Sequence, residues 1–536
     1  MGIFENWPYI NFHEKNLDWL VKQEKHDADM IKDIQDQLAD LDGTIQQDVI
    51  NQLNEWLLDG TLTTILSGLV AGLSATVDLK LWRAPYFKAI NFSPSVGDLV
   101  ITGGYNSLGD HGAGLYVCTS LTALSQNGFY FRPLVGETAL ALGVEADGVT
   151  DNTSQLIQAM AWQKHIDFLQ SDVVILSSHI PLSDNVSLDG HGCTFAAKLN
   201  SFTSGSSMIG MASGKNIRIQ NINFDRQSAS TDFFAISLTS CENILINGCS
   251  FVNGLGYMVR LSGSSNVRCL NCSCNNVNGI SGNPGGLFYQ QGGHDMVFDH
   301  IKSSAIQDHV IYIDGSPNEA YDFTIRNIIA KNHLTNNLTA AAVIAIYGDA
   351  HNFEIDGVDA DTVITGISIL SRNDIIPKHG VIQNCKFNNI DDDAIEVIGD
   401  ANTATQATYI TITSNELSNV GQDGISVRYC RCVNIQDNWI RSVTRYGIEL
   451  SKTAFIKIAE NYILNITATG VLIGNIAESV STFVLENVFQ VCDYAVRTSY
   501  TGSINNYISN NVYYTIANVS AYLANNKTNE IVWTTT

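Results

Sequence analysis

Gly424-Ile425-Ser426-Val427-Arg428 is followed 23 residues on by Gly447-Ile448-Glu449-Leu450-Ser451, and Gly366-Ile367-Ser368-Ile369-Leu370 has the same form. Each puts an apolar residue at an anchor and another two positions later. In an extended strand those two side chains share one face, and the residue between them takes the other. The alternation recurs at Ile236, Val259, Phe288, Ile311, Ile344, Ile367, Ile395, Ile425, Ile448, Val471 and Val496. Successive anchors lie 23, 29, 23, 33, 23, 28, 30, 23, 23 and 25 residues apart. Half the spacings are one value, and the others are the same unit carrying a loop.

The second inward position is apolar throughout except at Gln290 and Thr498, whereas Ser237, Arg260, Tyr289, Tyr312, Ser368, Glu396, Ser426 and Glu449 stand between. A further alternation follows in most units, as in Asn243-Ile244-Leu245-Ile246-Asn247. Asn and Gly, at Asn247-Gly248, Asn253-Gly254, Asn389, Asn419, Asn438 and Asn461, mark the bends. Several short strands per unit with no helix between them predict an all-β solenoid, a single-stranded parallel β-helix in which each coil pairs only with its neighbours. A leucine-rich repeat would carry its Leu/Asn consensus, and a propeller blade needs about 40–45 residues. The inward Ile, Val and Leu residues are core and carry no chemistry.

The 536-residue chain holds 29 basic and 53 acidic residues, a net charge of −24. Such a surface disfavours nucleic acid and anionic membranes, which require clustered Lys and Arg. It suits neutral sugars, or acidic glycans met through local basic spots. Eight Pro and no low-complexity tract argue for an ordered chain. The 11 Cys residues show no framework spacing. Cys269, Cys272 and Cys274 lack the second pair or His that zinc needs, so they read as reduced core thiols, with neither metal nor cofactor expected. Met1–Asn6 has no signal-peptide character, and the apolar stretch Leu62–Val77 is too short and too interrupted to span a bilayer. A protein made in the cytoplasm, without membrane insertion, is expected.

Residues 17–58 read as helix. Ile31, Ile34, Leu38, Leu41 and Ile45 form a heptad seam, and the seam then stutters past Asp48 to Val49, Leu53 and Trp56. Isoleucine at both seam positions of the first heptad favours a three-stranded stalk. Before it, Trp7, Tyr9, Phe12 and Trp19 crowd into a short segment suited to docking on a partner.

Three stretches resemble known sequences. The opening, with Asn11-Phe12-His13-Glu14 and Asn16-Leu17-Asp18-Trp19-Leu20, resembles the start of tail and appendage proteins of short-tailed bacteriophages. That resemblance implies fastening to tail or portal-proximal virion proteins through Trp7, Phe12, His13, Leu17 and Trp19. Val96-Gly97-Asp98-Leu99-Val100 with Gly109–Tyr116 is similar to the small β-rich head of phage tailspikes. Leu142–Thr153, followed by Ile157-Gln158-Ala159, resembles the opening motif of pectate-lyase-like β-helices, which are right-handed. In this last stretch Asp147 forms a turn, and Asp151 and Thr153 are candidate caps for a helix at 154–164 that closes the solenoid.

Together these resemblances imply a homotrimeric phage tailspike, made in the host cytoplasm and working on the virion. The expected order is a virion anchor at 1–20, a helical stalk at 21–80, a head at 81–136, the β-helix with its cap at 137–516, and an end segment at 517–536. Residues 500–536 show no separate trimerisation domain.

A filled β-helix does its chemistry on its outer face. Neighbouring coils are about 4.8 Å apart. Retaining glycosidases need carboxyls about 5–5.5 Å apart and inverting ones about 6.5–9.5 Å, so one or two coils of offset supply either. Asp393 and Asp423 share the position two before their anchors, and Glu396 and Glu449 share the position after theirs. These four are the candidate catalytic carboxylates, with a solvated turn series, or a calcium role for Asp391–Asp393, as alternatives. Asp308, Tyr312, Arg428 and Tyr446 are candidate glycan-binding residues. Tyr312 with His309, or Tyr446 with Arg428 and Arg445, would serve a lyase instead. Tyr289, Tyr347 and Tyr429 are further candidates to stack on sugar rings. The expected function is attachment to a bacterial surface polysaccharide and its hydrolysis. The alternative is an appendage that grips glycan without cutting it.

Overall fold

The computed structural model describes residues 81–529, apart from 108–112, 120–123, 127–128, 136–137, 228–230, 280–284, 334–340, 401–406, 476–478, 500–502, 504, 517 and 522–526. Trp7, Phe12, His13, Leu17 and Trp19, expected to anchor the chain, and residues 21–80, expected to form a stalk, lie outside the described residues. Two compact units divide the chain, 1–136 and 137–536.

In the first unit, five strands pair around Leu81–Ala84, Leu99–Thr102, Gly114–Thr119, Phe129–Val135 and Leu124–Gln126 in that spatial order. Phe87 fills its centre, with ring centroids 5.1 Å from Tyr105, 4.8 Å from Tyr116 and 5.5 Å from Phe131.

The second unit is a right-handed parallel β-helix of about 13 turns. One coil shows its construction. Asp423–Arg428, Arg431–Gln436 and Trp439–Val443 form three faces, and each strand pairs in parallel with its counterpart 23 residues on, as in Ile425 with Ile448, Ile435 with Ile458 and Ile440 with Ile463. All eleven anchors align in one unbroken register from Ile236 to Val496. The column continues beyond the anchors at both ends, to Ile209 and Ile180 before them and to Ser520 after them. Coil pairing thus runs past position 516, with Lys527–Asn529 paired to Tyr507–Ser509. Phe168, Phe195, Phe224 and Phe251 form a row inside the early coils with centroids 5.0–5.7 Å apart, the first two contacts edge-on and the last stacked.

The corners are left-handed. Asn185, Asn216, Asn243, Asn266, Asp295, Asp322 and Asn352 occupy one column with φ between 48° and 61°. Asn and Asp tolerate that region better than other side chains, which explains their recurrence. Asn253, Asn389 and Asn419 are corners of this kind, with φ of 53–55°. Asn438 and Asn461 are not bends in this sense. They are fully buried rungs of a ladder running Asn415, Asn438, Asn461, Asn487 and Asn511, in which each amide donates to the next side-chain oxygen at 2.9–3.0 Å. Gly424 is needed for close approach, since a Cβ there would sit 2.5 Å from the Gly447 carbonyl oxygen of the next coil.

Among the described residues there is one α-helix, α1, Thr153–Trp162, and it sends Leu156, Ala159 and Met160 into the core. Asp151 accepts the Thr153 N–H at 3.1 Å and its hydroxyl at 2.7 Å, while Asp147 closes its turn on the N–H groups of Val149 and Thr150. Thr153 is not the cap expected of it. It lies inside the first turn, and its hydroxyl accepts the Ser177 N–H of a neighbouring coil. Cys269, Cys272 and Cys274 are free thiols inside the core, and burial pushes each thiol pKa up.

Candidate functional site

The first face of the solenoid gathers most of the buried ionisable groups. Its strands place two outward columns side by side. One lies two positions before the anchors and includes Tyr257, His309, Asp393, Asp423 and Tyr446; the other follows the anchors with Arg260, Tyr289, Tyr312, Ser368, Glu396, Ser426 and Glu449. Coil spacing of about 4.8 Å brings side chains far apart in sequence into contact along both columns.

Toward the C-terminal end, four carboxylates meet two arginines. Asp423 is wholly enclosed: Arg445 Nε donates to its Oδ1 at 2.8 Å, Arg445 Nη2 donates to Oδ2, and the Tyr446 N–H reaches Oδ1 at 3.2 Å. Glu449 is equally enclosed, accepting from Arg428 Nε at 2.7 Å, Ser426 Oγ at 2.8 Å and Asn475 Nδ2 at 2.6 Å. Arg428 also stands 3.8 Å from Asp423. Asp393 is buried and accepts the Asp423 backbone N–H at 2.9 Å. Glu396 accepts from Ser368 Oγ and is half-buried, the one member of the four that keeps an opening to solvent.

Their protonation differs because their partners differ. Burial and then the neighbouring Asp423 charge push the Asp393 pKa up to about 8. Burial also raises Glu396, assisted by Asp392 and opposed by Ser368. Asp423 rises only to about 6, because Arg445 offsets much of the desolvation. For Glu449, burial is outweighed by Asn475, Arg428 and Ser426, so its pKa falls below the usual value. At neutral pH this leaves Asp393 protonated and Glu449 ionised, with Asp423 mostly ionised. The four carboxylates are therefore not a solvated turn series. Asp423 and Glu449 do not reach the surface as expected, because Arg428 and Arg445 lie across them.

The middle of the face is aromatic. Tyr257, Tyr289 and Tyr312 stack with centroids 5.3–6.0 Å apart, and Tyr347 meets Tyr312 edge-on at 5.1 Å. Asp308 is buried beneath them, with the Tyr257 hydroxyl 3.4 Å and His309 Nε2 3.3 Å from its oxygens. Burial lifts Asp308 to about 8 and drops His309 to about 4. His309 Nδ1 lies 2.9 Å from the Ala342 carbonyl oxygen and 3.1 Å from the Ala342 nitrogen, so the ring is held by the main chain of the next coil. Arg372 arches over from 60 positions away, donating to Tyr312 Oη at 2.8 Å and to Asp314 at 2.7 Å. Tyr347 lies within electrostatic reach of both Glu396 and Asp308, which links the aromatic and carboxylate groups along the face.

Tyr312 and Asp308 are thus brought together, as are Arg428 and Tyr446, whose ring lies 5.2 Å under Arg445. Tyr429 stands apart at a corner, under Lys452. Tyr257, Arg372 and Asn475 were not foreseen. Tyr257 shares the offset of Asp393 and Asp423 and was legible by that signal; the other two lie outside the columns and had none. Among the described residues, no group of three or more His, Cys, Asp or Glu is spaced to hold a metal ion. No helix among the described residues is long and apolar enough to cross a membrane.

The family described as the right-handed β-helix region matches residues 342–513, the stretch holding the carboxylate group. No curated protein matches the chain in sequence. Among solved structures, PfbA, a surface adhesin of Streptococcus pneumoniae, is similar at a TM-score of 0.50 and 13% identity, over 70% of this chain and 93% of that one. The pre-mature bacteriophage phi29 gene product 12 is similar at a TM-score of 0.51 and 12% identity, over 73% of this chain and 55% of that one. Tailspike protein 3 of bacteriophage CBA120 aligns at a TM-score of 0.44 and 11% identity, over 77% and 65%. The likeness to PfbA and to gene product 12, at TM-scores of 0.50 and 0.51, shows a shared fold alone, and the chemistry has to be argued from the site.

Proposed function

We propose that the chain is a bacteriophage tail appendage, carried on the virion as a homotrimer, that binds a bacterial surface polysaccharide along the first face and hydrolyses it. The observation that carries this reading is the meeting, on one face, of stacked tyrosines with carboxyls held in opposite protonation states. Tyr289, Tyr312 and Tyr347 offer half-buried aromatic surface for sugars. Glu396, raised and reachable, donates the proton to the glycosidic oxygen. Asp423, the mostly ionised carboxylate one coil on, serves the other side of the reaction once Arg445 moves off it. Asp393, through its bond to the Asp423 N–H, and Glu449, through its hold on Arg428, are positioning residues.

The closed ion pairs on Asp423 and Glu449 favour a second reading, an appendage that grips without cutting. The phage assignment rests on the resemblances of the opening sequence and of the head segment at Val96–Val100 and Gly109–Tyr116, and the anchoring role of Trp7, Phe12, His13, Leu17 and Trp19 rests on the first of these.

Incubating the purified chain with capsular and wall glycans tests the reading. New reducing ends support hydrolysis, and unsaturated uronates would move the chemistry to a lyase. Binding with neither product assigns the second reading. A solution mass near three times the chain's 58.4 kDa is expected for the trimer, and a monomeric mass would remove it.

A further inference from the structure

Arg260 and Arg497 both stand in the outward column of the first face without a carboxylate partner among the described residues, but Arg497 is exposed whereas Arg260 is half-buried. Arg372 is paired with Asp314, Arg445 with Asp423, and Arg428 with Glu449 and Asp423. Arg260 has no carboxylate within ion-pair distance among the described residues. Its Nε is buried without a hydrogen-bond partner, and its guanidinium carbon lies 5.7 Å from the centre of the Phe234 ring. A half-buried, unpaired cation is costly to hold, and a chain with 53 acidic residues has ample means to neutralise one. Arg260 also stands in register with Ser237 on the preceding coil and Tyr289 on the next, within the column that leads to Glu396. Five coils separate it from Glu396, about 24 Å at the usual strand spacing. That is the length of a short oligosaccharide.

We propose that Arg260, flanked by Ser237 and Tyr289, is a subsite for a negatively charged group carried by a sugar, a uronate carboxylate or a phosphodiester. It rests on the reading of the first face as a glycan track and adds the substrate class: an acidic polysaccharide, with a charged unit several residues from the bond at Glu396. The chain's own charge of −24 repels such a polymer at long range, so a local unpaired guanidinium supplies the specific attraction.

Phenylglyoxal labelling of the full chain, read by peptide mass spectrometry, tests the subsite directly. Sodium glucuronate at tens of millimolar should slow labelling of Arg260 severalfold, with glucose at the same concentration and sodium chloride at the same ionic strength without effect. Glycerol phosphate in a parallel arm decides whether carboxylate or phosphate is preferred. Equal slowing by glucose or chloride, equal slowing at Arg497, or no slowing by either anion would overturn the proposal. These readouts need no depolymerisation, so they stand or fall apart from the hydrolase reading. Arg260→Gln should abolish anion binding seen by calorimetry, and Arg260→Lys should retain part of it. Full binding in a folded Arg260→Gln variant would also overturn the subsite.

Discussion

The backbone N–H of Asp423 donates to Oδ1 of the Asp393 carboxyl at 2.9 Å, so two acids 30 positions apart are joined by main chain rather than by a shared proton. Asp393 is the more deeply shifted, to about 8, while Arg445 keeps Asp423 near 6. One coil's acid thus reads the charge of the next.

That relationship makes stability depend on pH. The folded-state pKa of Asp393 lies above the usual carboxylate value of 3.8, so the native state holds a proton that the unfolded chain releases. Its contribution is complete below about pH 4 and is lost as pH rises through about 8; Asp308 acts in the same direction. Asp393→Asn should remove up to about 1.4 kcal/mol per pH unit from the decline across this window. Melting temperatures of both proteins measured from about pH 5 to 8 check it, and parallel curves would contradict it.

Glu449 is fully enclosed, so Arg428→Ala leaves a buried anion with only neutral partners. A loss of about 3–5 kcal/mol is expected. Glu449→Gln in the same background should restore part of it, giving a coupling of about 1 kcal/mol or more in a double-mutant cycle. Additive effects in denaturant titrations would show that the pair is not coupled.

The buried asparagine ladder is a structural commitment. Asn461 donates to Ile435 and Ala459 carbonyls at 3.0 and 2.9 Å and to Asn487, while its own oxygen accepts from Asn438. Asn461→Ala should cost about 2–4 kcal/mol, since each orphaned buried group costs about 1–3 kcal/mol. The exposed corner Asn266→Ala is expected to stay within about 1 kcal/mol. Similar losses in both would argue against the ladder.

Glu396→Gln should lower depolymerisation by about 100-fold or more, the usual share of a general acid, with glycan binding retained. Tyr312→Ala should instead weaken binding, about tenfold in Kd for a lost stacking contact. Reducing-end assays and affinity electrophoresis separate the two. An active Glu396→Gln variant would remove Glu396 from the chemistry.

Much of the solenoid was legible because its core is periodic. Ile311, Ile344 and Ile367 pack against the residue one coil away in a repeated environment, so alternation and spacing reveal their register directly. The offset of Asp393 and Asp423 was legible for the same reason. The cap was legible only in part, since Asp151 binds the helix start while Thr153 turns to Ser177. Asn438 and Asn461 read as corners because Asn is frequent at left-handed positions, and nothing local distinguishes an inward amide from an outward one.

The chain's repeat of apolar pairs determined, by itself, that coils stack in parallel and which residues face inward, because strand alternation and burial act within a few residues. Only the tertiary structure decided which outward acids are open. Arg445 covers Asp423 and Arg428 covers Glu449 across a coil, while Arg372 reaches Tyr312 over 60 positions. Arg372 reaches the face from the turn after Thr365–Leu370, while Arg428 ends the strand Asp423–Arg428 and Arg445 precedes its paired strand Tyr446–Ser451, and no local pattern encodes which carboxylate a long guanidinium meets across coils. Protonation follows from the same placement: Asp393 and Glu449 share a face, and their opposite shifts come from the neighbours that folding supplied.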